Sequence, residues 1–352
     1  MNISENNYIT NGYTGLCNLG NTCFLNSCVQ VLSHTYELHK ILNKPLIQKQ
    51  IAELKTDEMF IFKEWKELIE VMWSGNGKIR PMKFVRSVHA IAEKKGFELF
   101  TGFAQNDVTE FLRFIVNCFH TAMSRTVQVN ITGTAKTVHD ELAIQCYSLL
   151  NNVFSKEYSD IFDLFYGISV TEIRDMNGTV KSLRPEQYFI LDLPIPKSQT
   201  APITIYDCMD FFTAKEEMCG ENAWFNDKTG EKEDAHKRTL FWNFPNVLII
   251  ALKRFEYMGT RCFRIDSQIE APITGLDLSK YVSGYSPKKY VYDLYGVCNH
   301  IGGPTGGHYT AYVKNVSGKW LNCNDEHVSI IENTSEIITP MAYCLFYRII
   351  NK

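Results

Sequence analysis

The chemistry in this sequence starts from a thiol. In Gly15-Leu-Cys-Asn-Leu-Gly-Asn-Thr-Cys-Phe-Leu-Asn-Ser27, Cys23 lies where a polar, Gly-containing turn meets an apolar-periodic stretch that predicts a helix. Unpaired amides and the dipole at a helix start favour a thiolate, so Cys23 is expected to have a lowered pKa and to act as a nucleophile. Asn18, five residues earlier, has a side-chain N–H able to meet the oxyanion that forms when a thiolate attacks a carbonyl. Taken alone, the same cysteine also fits a buried residue at a helix start. Cys28, one turn further along the apolar face, reads as core, and Cys17 precedes the turn, where no dipole helps it.

A base is available far along the chain. His300-Ile-Gly-Gly-Pro-Thr-Gly-Gly-His-Tyr-Thr-Ala-Tyr312 puts His308 at the start of an expected strand, after a loop with four glycines. Such a loop lets a backbone approach another chain closely and change shape on binding, so it reads as a gate. A lone histidine beside a strand is usually structural; a distant activated cysteine and a Gly-rich approach favour catalysis. Sixteen residues on, Trp320-Leu-Asn-Cys-Asn-Asp325 ends a short strand that can run beside the one starting at His308. Either Asn324 or Asp325 could orient the imidazole there, although this segment alone reads more readily as a plain polar turn after a strand. Cysteine, histidine, then Asn or Asp is a chain order compatible with a papain-like triad.

These residues need a scaffold, and the chain has the means to build one. Its 352 residues are 45% hydrophobic and 21% charged, the usage of a folded globular protein with a sizeable core. Lys plus Arg (36) nearly balances Asp plus Glu (39), so no global field draws it to nucleic acid or a membrane surface. The longest apolar run, Val247 to Leu252, is too short to cross a bilayer, and the first residues lack a secretory pattern. Eleven cysteines without a Cys-x-x-Cys pair suit a reducing compartment. The expectation is an intracellular, cytoplasmic or nuclear, monomeric protein.

Helical spacing runs over Cys23 to Leu32, Phe60 to Met72, Pro81 to Lys95, Asp107 to Met123 and Val138 to Leu149. Strand patterns follow at Gly167 to Ile173, Tyr188 to Pro194, Val247 to Phe255, Tyr290 to Cys298, Tyr309 to Val313, Lys319 to Cys323 and Tyr343 to Ile349. Cys219 to Lys237 reads as an exposed hairpin or loop. Helices first and an antiparallel sheet second predict an α+β fold, with a loose tail over 1–12 and one domain over 13–350.

Several boxes together resemble the ubiquitin-specific protease family of deubiquitinases. Gly15 to Ser27 is similar to its cysteine box, and Tyr292 to Tyr312 with Trp320 to Val328 to its histidine box. Gln105-Asn-Asp-Val-Thr-Glu-Phe-Leu112, Leu252-Lys-Arg-Phe255 and Ala342-Tyr-Cys-Leu-Phe-Tyr347 match further segments. The resemblance implies a papain-like hand, with a helical thumb at about 13–160, β-strand fingers at about 165–245 inserted in the palm, and a sheet palm at about 246–350. It implies Cys23 as nucleophile, His308 as base, Asn324 as third member, Asn18 as oxyanion donor and Asp325 as a supporting acid. It also places Gln105, Asp107, Glu110, Phe255, Tyr257, His300 and Tyr309 in the substrate cleft, with Asp107 and Glu110 facing the arginines of ubiquitin's Leu-Arg-Leu-Arg-Gly-Gly tail.

The implied activity is thiol-dependent hydrolysis after the C-terminal glycine of ubiquitin, with ubiquitin and ubiquitinated proteins as partners. A ubiquitin-binding scaffold with a vestigial triad and a protease for a ubiquitin-like modifier are the competing readings. The chain departs from many relatives at the fingertips, where two Cys-x-x-Cys pairs would bind zinc. Glu172-Ile-Arg-Asp-Met-Asn-Gly178 and Trp224-Phe-Asn-Asp-Lys-Thr229 stand there, with only Cys219 nearby. No structural zinc and no cofactor are expected. Asn106 replaces a commoner Gln, and Cys323 a commoner aromatic residue.

Overall fold

Every residue of the helix Cys23–Ser33 is buried, where periodicity predicts a single buried face. The helix runs through the middle of the protein, between the helix Val108–Ala122 and the strands Val291–Gly303, Gly306–Lys314 and Trp320–Asn324. Its polar side chains donate hydrogen bonds that offset part of their desolvation, while Asn26 Oδ1 and Gln30 Oε1 accept none among the described residues. Asn26 Nδ2 donates to the Leu16 carbonyl (3.1 Å) and Asp325 Oδ1 (2.8 Å), and Gln30 Nε2 donates to the Thr14 carbonyl (2.8 Å). The computed structural model describes residues 10–197, 202–259, 261–285, 287–304 and 306–350; residues 1–9 of the expected tail and Thr305 of the glycine loop lie outside the described residues.

The helices Asp57–Ser74, Met82–Lys95, Val108–Ala122 and Val138–Glu157 form where spacing predicts, each with a physical start or stop. Thr56 and Asp107 accept from the amides of Met59 and Thr109, Thr137 and Asp140 form a capping box, and Gly96 at φ 71 ends the second helix. The last helix runs on past Leu149 to Glu157, a stretch whose apolar residues do not stay on one stripe and so hide the period. Tyr36–Leu42, Pro45–Glu53, Asp160–Phe165 and Ile205–Thr213 are also helical and are too short to show one.

Among the described residues the main sheet has eight strands. Seven lie in the order His327–Ile331, Trp320–Asn324, Gly306–Lys314, Val291–Gly303, Ala342–Ile349, Val247–Lys253 and Ile190–Pro194; Leu276–Asp277 pairs beside Val291–Gly303. The all-antiparallel expectation needs correction at one edge, where Ile190–Pro194 runs parallel to Val247–Lys253 with Ile190 opposite Ile249. Parallel neighbours require a long crossover, which the segment between Pro194 and Val247 provides. Ile190–Pro194 therefore belongs to the main sheet although it lies inside the range expected for the fingers.

Both faces of this sheet are covered. Val247, Ile249 and Ala251 join the core under the helices, while Leu248, Ile250 and Leu252 join a second core with Ile205 and Met209. A strand buried on both faces needs no polar alternation, which explains the unbroken apolar run.

A four-stranded antiparallel sheet extends from the main one, in the order Val180–Tyr188, Gly167–Asp175, Ala235–Asn243 and Glu216–Met218. Val180–Tyr188 and Ala235–Asn243 are only partly buried along most of their length, so neither alternates clearly in sequence. Buried Glu172 accepts from Arg174 Nη2 (2.7 Å) on its own strand and from Arg238 Nε, its ladder partner on the neighbouring strand. The expected exposed hairpin is Trp224–Asn226 with Glu231–Glu233. Among the described residues, no helix is long and apolar enough to cross a membrane, and no cluster of three His, Cys, Asp or Glu is arranged to hold a metal.

Candidate active site

The thiol of Cys23 is fixed by the first residue of the central helix, and the imidazole of His308 by the strand packed against that helix. The backbone N–H of Tyr309, the residue after His308, acts to lower the Cys23 thiol pKa, and both residues line one cleft. On the neighbouring strand, Asn324 accepts from His308 Nε2 at 2.7 Å. Ala311 pairs with Cys323 in the ladder between these two strands, a register that brings positions 308 and 324 together at its open end. Cys23 and Tyr309, from opposite ends of the chain, thus border one cleft of about 240 Å³, of which neither His308 nor Asn324 is a lining residue.

Electrostatics corrects one expectation. Burial pushes the Cys23 thiol above its ordinary pKa and the Asp325 carboxylate adds to the rise, while the N–H groups of Tyr309, Phe24 and Cys23 itself act in the opposite sense. The residue is 4% exposed, so loss of hydration outweighs the helix start. Among the described residues no hydrogen bond joins this thiol to the imidazole.

Asp325 does not compete for His308. Its φ of 49° turns the chain, and its two oxygens accept from Asn18 Nδ2 (2.9 Å) and Asn26 Nδ2 (2.8 Å). Asn18 is held from its other side too, because its Oδ1 accepts from the amides of Gly20 (3.0 Å) and Thr22 (3.1 Å). Asp325 thereby fixes the amide of Asn18 beside the nucleophile turn, and Asn324 alone of the two meets the imidazole.

Six of the seven expected substrate-contact residues line the cleft: Gln105, Asp107, Phe255, Tyr257, His300 and Tyr309. Gln105 Oε1 accepts from the Gly307 amide (2.9 Å), spanning the cleft from the helical side to the glycine loop. His300 is buried with its ring centroid 4.6 Å from that of Tyr309 and 5.7 Å from that of Phe255. Burial, with Arg264 acting in the same direction, lowers its pKa and keeps it neutral. Tyr257 stands 76% exposed at the rim. Glu110 is not among the cleft residues; it is exposed, with its carboxylate 4.0 Å from Arg113.

Sequence reasoning missed four contributors. Asn21, at φ 54°, lines the cleft and donates to the Phe103 carbonyl (2.8 Å). Asn26 buttresses Asp325, and Tyr343 donates to Asp107 (2.7 Å). Arg264 Nη1 donates to the Gly302 carbonyl (3.2 Å), anchoring the glycine loop. Asn26 and Tyr343 lie within boxes that the sequence singles out, whereas nothing near Arg264 marks it.

Helices packed on a mostly antiparallel sheet, with a cysteine opening the central helix and a histidine and asparagine on adjacent strands, make a papain-like fold. The chain belongs to the ubiquitin carboxyl-terminal hydrolase family, whose model matches residues 14–347. Ubiquitin carboxyl-terminal hydrolase 2 of Bos taurus is 31% identical over 344 residues, covering 96% of this chain and 55% of that protein. The chain thus spans about half the length of that relative. Ubiquitin carboxyl-terminal hydrolase 2 of Gallus gallus is 31% identical over 348 residues, covering 97% of this chain and 94% of the relative. Among solved structures, the SAGA DUB module Ubp8/Sgf11/Sus1/Sgf73 bound to monoubiquitin is similar in fold. Its TM-score is 0.70 at 23% identity, covering 100% of this chain and 71% of that one.

Proposed function

We propose that this protein is a thiol-dependent deubiquitinase that hydrolyses the bond after the C-terminal glycine of ubiquitin. The observation that carries the reading is the hydrogen bond from His308 Nε2 to Asn324 Oδ1, with Tyr309, the residue after His308, lining the same cleft as Cys23. Asn324 Oδ1 only accepts, so Nε2 carries the proton and Nδ1 is left to take one from sulfur. Transfer of that proton creates the thiolate when substrate draws the two groups together, which overcomes the raised pKa of the buried thiol.

The thiolate attacks the glycine carbonyl, and the carbonyl electrons move onto oxygen. Asn18 has one amide hydrogen committed to Asp325 and a second available for that oxyanion. Collapse of the intermediate breaks the C–N bond as imidazolium gives its proton to the leaving lysine amine. Water, deprotonated by His308, then attacks the thioester and releases the carboxylate and the thiol. The glycine loop supports a substrate whose last residues lack side chains. Methyl groups at positions 306 and 307 would press within 3.0 Å of Gln105, His300 and the Ile301 carbonyl, so the passage is already narrow.

Incubation with a ubiquitin C-terminal amide reporter tests the assignment. Release of the fluorophore is expected from wild type and none from Cys23→Ala; turnover that survives the substitution rejects the nucleophile. Parallel probes built on ubiquitin-like modifiers report which tail the cleft accepts.

A further inference from the structure

The carboxylate of Asp107 is surrounded by donors. Oδ1 accepts from the backbone N–H of Thr109 (2.7 Å) and from its hydroxyl (2.5 Å), and Oδ2 accepts from the hydroxyls of Tyr343 (2.7 Å) and Tyr309 (3.2 Å). A carboxylate has room for about four such donors. The set is complete without a cation, and among the described residues no Lys, Arg or His is paired with it. Burial and the adjacent Asp107 charge both push the two phenols well above the usual tyrosine pKa, so both remain protonated donors.

The four donors come from three elements. Thr109 is in the first turn of the helix Val108–Ala122, Tyr309 follows His308 on Gly306–Lys314, and Tyr343 is on the terminal strand Ala342–Ile349. Tyr309 is the informative member. Its ring is buried in the core under the helices, it lines the cleft together with Cys23, and its backbone N–H acts to lower the thiol's pKa. A restraint on the Tyr309 hydroxyl is therefore a restraint on the segment carrying both that donor and the imidazole.

We propose that Asp107 and Tyr343 are positioning residues of the thiol centre: the saturated carboxylate ties the Tyr309 segment to the helix cap, with Tyr343 holding the carboxylate in place. Asp107 acts as a structural node rather than as a receptor for an arginine of the tail, since its lone pairs are already filled.

The proposal rests on the deubiquitinase reading only where the ubiquitin reporter is used. Tyr343→Phe keeps the ring and removes one donor. It is expected to lower kcat roughly tenfold, about the loss of one hydrogen bond to a charged group, with KM within about twofold of wild type. Alkylation of Cys23 by iodoacetamide should slow in parallel. Asp107→Asn should do the same, and Tyr343→Phe made in that background should add nothing.

Wild-type turnover and alkylation in Tyr343→Phe, or additive effects of the two changes, overturn the proposal. So does a loss confined to KM, which makes Asp107 a substrate contact, or a lower melting temperature with undiminished rate per folded molecule. If wild type leaves the reporter uncut, the functional reading fails while the alkylation arm still decides the positioning role.

Discussion

Gly307→Ala separates the shape of the tail passage from the chemistry of the thiol. Neither Gly306 nor Gly307 has a φ in the left-handed region, so alanine is acceptable to the backbone at both and the cost is one of contact. At Gly307 the added methyl would lie within 3.0 Å of the His300 ring and of the Ile301 carbonyl. Ordinary contact begins near 3.4 Å. The carbonyl belongs to the strand pair that carries His308, since Ile301 is the ladder partner of His308 itself. Relief of the clash must move that backbone by a few tenths of an ångström or more.

Displacement of the strand carrying the imidazole is expected to withdraw about 2 kcal/mol of transition-state stabilisation, so kcat/KM on the ubiquitin reporter should fall roughly thirtyfold. At Gly306 the methyl meets Gln105 Oε1, the far end of a flexible and exposed side chain that can swing away. Gly306→Ala should therefore cost no more than about fivefold, near the loss of the single Gln105–Gly307 hydrogen bond. Steady-state kinetics of both variants, with melting temperatures to correct for folding, give the comparison. Equal losses at the two positions, or a Gly307→Ala protein as fast as wild type, refute the steric argument.

Three further outcomes are expected. Asn324→Ala should reduce kcat about ten- to a hundredfold through loss of imidazole orientation, with no rescue by Asp325, whose oxygens are held by Asn18 and Asn26; an unchanged kcat would move the orienting role to water. Buried His34, its pKa lowered to about 4 from 6.5 mainly by burial, is neutral in the folded protein, whereas the unfolded chain takes up a proton near 6.5. Stability is therefore lost as pH falls below 6.5 and levels off below about 4. The loss from this group is about 2 kcal/mol between pH 7 and pH 5. Urea midpoints of His34→Gln should show a correspondingly weaker pH dependence, and identical slopes would exclude the residue as a source. Metal analysis of purified protein should find no stoichiometric zinc, because among the described residues no three His, Cys, Asp or Glu side chains cluster to hold one and Cys219 alone is exposed in the finger region; one zinc per chain would overturn that prediction.

Much of the site was legible because each functional side chain sits in a local pattern with its own physical signature. The Gly-containing turn before an apolar-periodic run placed Cys23 at a helix start, the glycines placed His308 after a close-packed loop, and the apolar run from Val247 marked a strand. Other features left no trace. Val180–Tyr188 and Ala235–Asn243 are partly exposed along most of their length and so lack the alternation that burial imposes. Arg264 reaches the glycine loop from a hairpin in which Arg261–Arg264 pairs with Phe255–Met258, not by a sequence motif.

The sequence by itself determined which groups were available and roughly which element would hold each, because capping, periodicity and turn chemistry act over a few residues. Tertiary structure decided what those groups are bonded to. It gave His308 to Asn324 and turned Asp325 toward Asn18 and Asn26, a distinction that depends on a single residue's φ of 49°. It saturated Asp107 with tyrosine hydroxyls from two strands, and it buried Cys23 deeply enough to raise the thiol pKa that its helix position alone would lower. Hydrogen-bond geometry and desolvation depend on distances between segments hundreds of residues apart, and only the packed chain sets those distances.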